Sequence, residues 1–576
     1  MGIQQPVQQL LVRIALLGLA LCVSAACRST ELQPLPGQPE FHADLIGIER
    51  SIDTRSPVAQ RYFDQGLTLA YGFSHDEAIR CFRAAAEADP TAPMPWWGIA
   101  LSLGPHINNP AMTEAGSREA HAAWREAARR CDAQRASGGR ASPRRELEHA
   151  LVEALGARYA ADPPADRRPL DEAYAAAMQA LWSAHPRDAD IATLYAESLM
   201  DLQPWDLWTR DGERKGRTSE IIETLEHALA LDPKHPGALH LTIHALEASP
   251  TPQAALSAAD RLRHMVPGIG HLVHMPSHID ARLGRWAEAS ACNLRAIEAD
   301  RALLERFPVA GFTRIYFAHN HHFLMWSEMM RGRSGVALEQ SRAVADAFPP
   351  ATRAMLVEFI DGLLPAELHV SVRFGRWEDV LRAPAFEDMF PIANALRAYA
   401  RGVALVALGR LDDARAEQRE LEAWAARVPP ARQVGNSKSS DVIGIARSML
   451  AGELAIRAGQ LAGDAKLREQ GLASLRSAVV IEDGLQYDEP PDWLMPVRHA
   501  LGAALMEDRR WSEAADVFRA DLVRNPENGW ALFGLARALR ESGDAAGAAS
   551  AQQRYAAAWR DADVKLMSSC FCQPGR

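Results

Sequence analysis

Histidines concentrate in one part of this chain, between His240 and His322, which holds nine of the 19 in the sequence. Imidazole is the commonest metal ligand and titrates near physiological pH. Three groups have spacings that place their members on one face of a helix: His240 and His244; His271, His274 and His278; His319 and His322. His264 and His321 fall off these faces, and we expect them to be structural.

These seven histidines predict a transition-metal site, with Zn or Cu as the ion. Seven imidazoles exceed the three or four ligands of one zinc ion, which leaves room for two ions or for outer roles. Glu247 follows His244 by three residues and is a candidate general base or outer-shell partner. Two other interpretations stay open: a polar groove for a peptide or acidic ligand, and simple structural hydrogen bonding.

The elements that carry these residues are helices. The chain has 576 residues, of which 48% are hydrophobic and 24% charged, and it is rich in Ala, Leu, Arg and Glu. Its net charge is -10 and its basic residues are diluted, which argues against a nucleic-acid partner. The sequence contains no Gly-rich phosphate loop, no G-x-S-x-G and no H-E-x-x-H, which argues against nucleotide-binding, serine-hydrolase and metalloprotease classes.

Internal similarity recurs at a period of about 34 residues. The clearest copy has Gly66, Ala78, Phe82, Ala85 and Pro90; the next clearest has Gly502, Ala514, Phe518 and Pro526. Weaker copies pair a turn glycine with an alanine five residues later: Gly284/Ala289, Gly332/Ala337, Gly409/Ala414 and Gly543/Ala548. The pattern resembles the tetratricopeptide repeat. It implies an all-α solenoid of the tetratricopeptide type, a right-handed superhelix of about ten antiparallel helix pairs.

The resemblance also implies where the histidines point. In such repeats, positions 2, 5, 9 and 12 of the first helix line the concave groove. The candidate histidines and Glu247 take these positions in three consecutive repeats, so we expect them to face one groove. Pro276 lies between His274 and His278, so this helix must kink or start there. If it starts there, the helical face shared by His271, His274 and His278 would be lost.

Other clusters are weaker candidates for groove residues. The Y-D-E-P-P-x-W segment that begins at Tyr487 is followed by Arg498 and His499. The named groove candidates are Glu197, Asp488, Glu489, Arg498 and His499. A proline-stiffened loop with Trp493 packed inward explains that segment equally well. Cys570 and Cys572 suit a frayed terminus, and a disulfide or metal-capturing pair stays open.

The first 27 residues predict a signal peptide, with Arg13 before a short apolar stretch. Its V-S-A-A-C ending resembles a bacterial lipobox, which would lipidate Cys27, although Ser24 stands where Leu is usual. Ser24-x-Ala26 also suits ordinary signal cleavage. We therefore expect a membrane-anchored lipoprotein facing the periplasm, held by a lipid rather than a transmembrane helix, with a soluble periplasmic protein as the alternative.

The remaining chain divides into a flexible tether at 28–45, N-terminal repeats with insertions at 46–235, histidine-rich repeats at 236–345, C-terminal repeats at 346–562 and a tail at 563–576. The histidine motifs and Y-D-E-P-P-x-W resemble a family of large exported bacterial tetratricopeptide-repeat proteins over nearly the whole mature chain. That resemblance implies a shared site without naming a reaction. A metal-dependent hydrolase or oxidase is compatible with the site; the alternative is a scaffold that binds a protein or peptide in the groove.

Overall fold

The computed structural model describes residues 32–137, 142–307 and 312–572. The expected signal peptide and Cys27 lie outside these ranges. Within them helices predominate over loops and turns, and one small antiparallel hairpin pairs Gln433–Val434 (β1) with Ser437–Lys438 (β2). No described helix is both long enough and apolar enough to cross a membrane.

The helices follow one another along the whole described chain. In the N-terminal part, α1 to α8 are Pro57–Tyr71, His75–Ala88, Met94–Leu103, Glu114–Ala136, Pro143–Gly156, Arg168–Ala184, Ala189–Met200 and Thr218–Leu231. In the central part, α9 to α15 are Pro236–Leu246, Leu256–Leu262, Gly270–His274, Pro276–Arg282, Trp286–Arg306, Thr313–Met330 and Ser334–Asp346. In the C-terminal part, α16 to α27 are Pro350–Arg353, Val357–Ile360, Ala366–Arg373, Trp377–Arg382, Pro391–Ala407, Leu411–Ala425, Ser439–Ala462, Ala465–Asp483, Val497–Glu507, Trp511–Arg524, Gly529–Glu541 and Ala545–Ala558.

Consecutive helices pack as pairs, which gives the predicted α-solenoid of the tetratricopeptide type. The small and large residues of the repeat explain this packing. The Phe82 ring fills the space between Gly66 and Gly98, where added Cβ atoms would lie 2.8 and 2.6 Å from it. Phe518 occupies the equivalent gap between Gly502 and Gly534, at 2.4 and 2.3 Å. Any larger residue at these glycines would force the helices apart.

The turns inside several pairs contain a residue with a left-handed backbone. Gly284 and Gly409 adopt φ values of 73° and 77° there, as their repeat positions predict. In the first pair the same position is Phe73, with φ 55°. A bulky residue seldom adopts this conformation, so the surrounding packing must hold it there.

The segment expected to be a flexible tether is instead packed from residue 32 onward. The Tyr62 hydroxyl accepts a hydrogen bond from the Leu35 amide and donates one to the Pro39 carbonyl. Leu45 is fully buried, and Asp44 pairs with Arg306. Proline content suggested a tether, but interleaved apolar residues dock the segment on α1.

The C-terminal tail is also packed where we expected a frayed end. Cys570 and Cys572 form a disulfide. The Phe571 ring lies 5.6 Å from Trp530, and the Ser569 hydroxyl donates to the His499 carbonyl. The tail therefore adds to the core of the C-terminal half.

Distant helix pairs meet because the solenoid returns on itself. Trp286 Nε1 donates to the Pro526 carbonyl at 2.8 Å, and Trp530 Nε1 donates to the Met329 carbonyl at 2.9 Å. The two large apolar clusters of the described residues overlap in sequence between Ala281 and Tyr316. The histidine-rich segment therefore lies where the two halves of the core join.

Candidate metal centre

Six of the seven candidate histidines form two adjacent triads in the described part of the chain. In each triad one nitrogen per ring lies within 4.8 Å of the others. The first triad consists of His240, His244 and His271, and the second of His274, His278 and His319. Rings of different triads lie 6.0 Å apart at His271 and His274 and 6.4 Å apart at His244 and His278.

The first triad joins two helices. His240 and His244 are one turn apart on α9, and His271 projects from α11. His240 Nε2 lies 3.1 Å from His271 Nε2. His244 Nε2 is buried and has no hydrogen-bond partner among the described residues. An unpaired buried nitrogen is costly unless a ligand satisfies it, which fits a metal donor.

The second triad depends on the helix that Pro276 interrupts. The backbone stays helical at Met275, with φ -48° and ψ -39°, so α12 continues the direction of α11. The common face is therefore kept, contrary to the expected disruption. His274 Nε2 lies 2.8 Å from His278 Nε2 and 3.1 Å from His319 Nε2 of α14.

The Nδ1 atoms of His240 and His274 are held by outer partners. His240 Nδ1 donates to the Tyr71 carbonyl at 2.8 Å. His274 Nδ1 donates to Asn293 Oδ1 at 2.7 Å, and Asn293 Nδ2 donates to the Ala289 carbonyl, which fixes the amide orientation. A neutral imidazole that carries its proton on Nδ1 presents a lone pair at Nε2, the usual arrangement of a metal-binding histidine.

Glu247 connects the triads. Its Oε1 accepts from His244 Nδ1 at 2.8 Å, and its Oε2 forms an ion pair with His278 Nδ1 at 2.7 Å. Burial raises the pKa of Glu247, but His278 and His244 outweigh burial and lower this pKa to about 2. Burial lowers the pKa of His278, but Glu247 and Glu489 outweigh it and raise this pKa to about 10.

A proton or a metal ion between His274 and His278 accounts for the short distance between their rings. His274 donates its Nδ1 proton to Asn293 Oδ1, His278 Nδ1 lies 2.7 Å from Glu247 Oε2 in an ion pair, and the two Nε2 atoms lie 2.8 Å apart. Two lone pairs repel unless a proton or a metal ion lies between them. In the metal-free protein the extra proton of His278 serves this purpose, and a metal ion would replace it.

Four other triad members favour the neutral state that binds metals. Burial, followed by neighbouring histidines, lowers their pKa values well below 6.5. This group comprises His240, His271, His274 and His319. For His240 and His319, the Glu247 carboxylate opposes the shift without reversing it.

Aromatic side chains enclose the two triads. Tyr316 stacks on His271 with ring centroids 4.2 Å apart, and Phe323 lies 5.2 Å from both His274 and His278. The Phe73 ring, held by its left-handed backbone, lies 4.5 Å from His240. These rings keep water away from the imidazoles, which strengthens electrostatic interactions within the site.

Trp205 covers the outer side of His244, with ring centroids 5.3 Å apart. It comes from the insertion at 203–217 and also lines a cleft of about 340 Å³. Tyr487 and Glu489 line the same cleft. Glu489 Oε2 lies 3.3 Å from His278 Nδ1. The Y-D-E-P-P-x-W segment thus reaches the site through its glutamate.

The structure does not bring His322 into either triad. It is buried on α14, and burial followed by the neighbouring His369 lowers its pKa to about 3. His321 is also outside the site and pairs with Gln340 through Nδ1 at 2.7 Å. His264 is exposed.

The other groove candidates have local partners. The Asp488 carboxylate accepts from the Asn436 and Glu489 amides, and Arg498 pairs with Asp483. Glu197 is half-buried. Its removal from water raises its pKa to about 7, against the lowering effect of Arg158. His499 belongs to a separate buried network with Arg373 and Asp521.

The spacing of histidines gave no signal for several residues that complete the site. Tyr71 supplies a backbone carbonyl, Asn293 a side-chain amide, and Phe73 and Tyr316 enclosing rings. His106 lies behind Phe73, with ring centroids 4.2 Å apart. No motif links these residues, because they meet only through helix packing.

The fold and site thus define a tetratricopeptide-type α-solenoid with a buried histidine cluster. Solved structures similar to this chain include the human IFIT1 dimer with m7Gppp-AAAA, at 12% identity over 88% of this chain and 92% of that chain, with a TM-score of 0.29. Yeast Tom70 is also similar, at 12% identity, 88% and 92% coverage and a TM-score of 0.28. Ypp1 gives 10% identity, 91% and 66% coverage and a TM-score of 0.32. No protein-family model and no curated protein matches the chain.

Proposed function

We propose that this protein binds two neighbouring transition-metal ions, one in each histidine triad. The observation that carries this proposal is the 2.8 Å approach of His274 Nε2 to His278 Nε2, with both Nδ1 atoms engaged by oxygens. Neutral imidazoles suit Zn or Cu. Three histidines per ion also leave a coordination position open, as in catalytic rather than structural zinc sites.

The chain's own residues would fix the ligands and keep water out. Tyr71, Asn293 and Glu247 set the ring orientations, and one carboxylate couples the two triads. A bound ion would supply Lewis-acid or, with Cu, redox chemistry. Hydrolysis and oxidation both fit this donor set, so the proposal covers metal binding and leaves the reaction open.

The deciding experiment is elemental analysis of protein purified without a His tag, before and after addition of Zn or Cu. We expect about two equivalents of metal per chain after loading. Metal below about 0.1 equivalent, unchanged by added Zn or Cu, would overturn the proposal. A chelator should also lower the melting temperature of the loaded protein, because an ion that binds only the folded state stabilises it.

A second candidate function is binding of a peptide or partner protein. The large cleft favours it, because Trp205, Trp208 and Tyr487 offer amphipathic rings beside charged residues. Binding that persists in chelator would support this function. Loss of all partner binding after chelation would instead tie it to the metal centre.

The cellular location is proposed from the sequence alone. We propose that the chain is an exported lipoprotein of the bacterial family it resembles, anchored through Cys27. Mass spectrometry of the mature N-terminus tests this, with Cys27→Ser as the control. A diacylated cysteine supports the anchor, whereas unmodified cleavage after Ala26 would indicate a soluble exported protein.

A further inference from the structure

The two tail cysteines lie against a buried carboxyl group that the histidine centre does not use. Glu453 projects from α22 and is only 1% exposed. Neither of its carboxyl oxygens has a hydrogen-bond partner among the described residues. One of these oxygens and the sulfurs of Cys570 and Cys572 all lie within 4.8 Å of one another.

A disulfide that only stabilises the fold does not explain why an unpaired Glu453 carboxyl group is buried beside it. A carboxyl group without a partner is unfavourable in the protein interior, and a disulfide offers it no useful hydrogen bond. Burial raises the pKa of Glu453 to about 8, in keeping with this isolation. The carboxyl group would gain a partner if a cation could bind between it and the sulfurs.

The tail is positioned well enough to serve as one side of such a site. Cys572 is 4% exposed, Leu566 is buried, and Ser569 is tied to the His499 carbonyl. Cys570 is partly exposed, which gives a reductant access to the disulfide. The sulfurs therefore lie at a fixed place beside α22 rather than on a frayed end.

We propose that Cys570, Cys572 and Glu453 form a separate metal site, of a type suited to Zn²⁺, that opens when the disulfide is reduced. A dithiol reductant would attack Cys570 Sγ, break the S–S bond and release Cys572 as a thiol. The second thiol of the reductant would then attack the mixed disulfide and release Cys570 as a thiol. The reductant leaves as its own disulfide, and the protein gains two electrons and two protons. Binding of Zn²⁺ would release both thiol protons and the carboxyl proton.

Cobalt binding tests the site separately from the histidine centre, because that centre contains no sulfur. A phosphine reduces the disulfide and becomes its oxide by taking oxygen from water. The reduced wild-type protein should then show a thiolate-to-cobalt charge-transfer band with Co²⁺. The oxidised protein should show none. Zn²⁺ should displace the cobalt and remove the band.

Three variants define the donors. Cys570→Ser with Cys572→Ser should abolish the band, and Glu453→Gln should weaken Co²⁺ binding by at least about tenfold. Cys131→Ser, which removes a buried free thiol elsewhere, should keep the band. Absence of the band in the reduced wild type, or its persistence in the double serine variant, would overturn the proposal. Unchanged affinity in a folded Glu453→Gln protein would overturn the three-donor site, and the serine variants still decide the matter if that protein does not fold.

Discussion

Buried histidines occur both in the central triads and in a C-terminal network, and the two regions use them differently. In the C-terminal network, His499 Nδ1 accepts from Arg373 at 2.9 Å and His499 Nε2 donates to Asp521 at 2.8 Å. Both ring nitrogens are therefore satisfied without an ion. In the second triad, the Nε2 atoms of His274 and His278 instead face each other at 2.8 Å. The direction of the second nitrogen distinguishes a structural histidine from a metal ligand.

The largest expected difference concerns metal content. His244→Ala combined with His274→Ala removes one donor from each triad and should abolish stable metal binding. At a metal concentration of 1,000 times Kd, bound metal would stabilise the wild type by about 4 kcal/mol. The double variant would lack this stabilisation. Elemental analysis and melting curves measure both effects.

His499→Ala is the matched control for that variant. It disrupts a buried network and should lower stability, yet it should keep the full metal content. Equal metal loss in both variants would mean that the distinction between the two regions is wrong.

A second prediction uses pH. Four triad histidines have folded-state pKa values depressed below 6.5, so the unfolded chain binds protons that the folded chain excludes. Their effect destabilises the metal-free protein as pH falls from about 7 to about 5. His278 does not add to this loss: with its pKa raised to about 10, its contribution is complete below pH 6.5 and disappears only toward pH 10.

Metal binding should weaken over the same acidic range, because protons compete for the imidazoles. Melting temperatures and bound metal at several pH values test this. Buried carboxyl groups such as Glu453, whose pKa burial raises to about 8, act in the opposite direction, so the wild type is compared with His240→Ala. The same pH dependence of stability in both metal-free proteins would contradict the neutral, buried state of that ring.

A smaller effect is expected from Glu247→Gln, which keeps the donors but removes the shared carboxylate. Loss of an outer partner of this kind typically weakens metal binding about 10–100-fold. Both ions should be affected, because Glu247 contacts His244 and His278. Competition titrations measure the affinity; Glu328→Gln, which removes another buried carboxylate, should leave it unchanged.

The smallest effect on metal content is expected from His322→Ala. His322 is buried on the same helix as His319 but belongs to neither triad. We expect unchanged metal stoichiometry and a loss of stability of about 1 kcal/mol from the cavity. Loss of one metal equivalent would instead indicate that His322 is a metal ligand.

The sequence predicted much of this arrangement because the residues that pack helices together recur at regular spacings. Gly66 and Phe82 indicated close helix contacts, and the structure confirms them. The helical spacings brought six of the seven predicted ligands together. His322 could not be separated from them, since its i, i+3 relation to His319 looks like a ligand spacing.

The sequence by itself determined the helices, the repeat and the pool of imidazoles, because these depend on local periodicity. Only the tertiary structure placed His271 and His274, neighbours on one helical face, in different triads. That division depends on which helix lies opposite: α9 faces the first and α14 the second. The roles of Tyr71, Phe73 and Asn293 were decided in the same way. Tyr71 and Phe73 belong to the first helix pair, far along the chain from His240, and Asn293 lies on the helix that packs against that of His274.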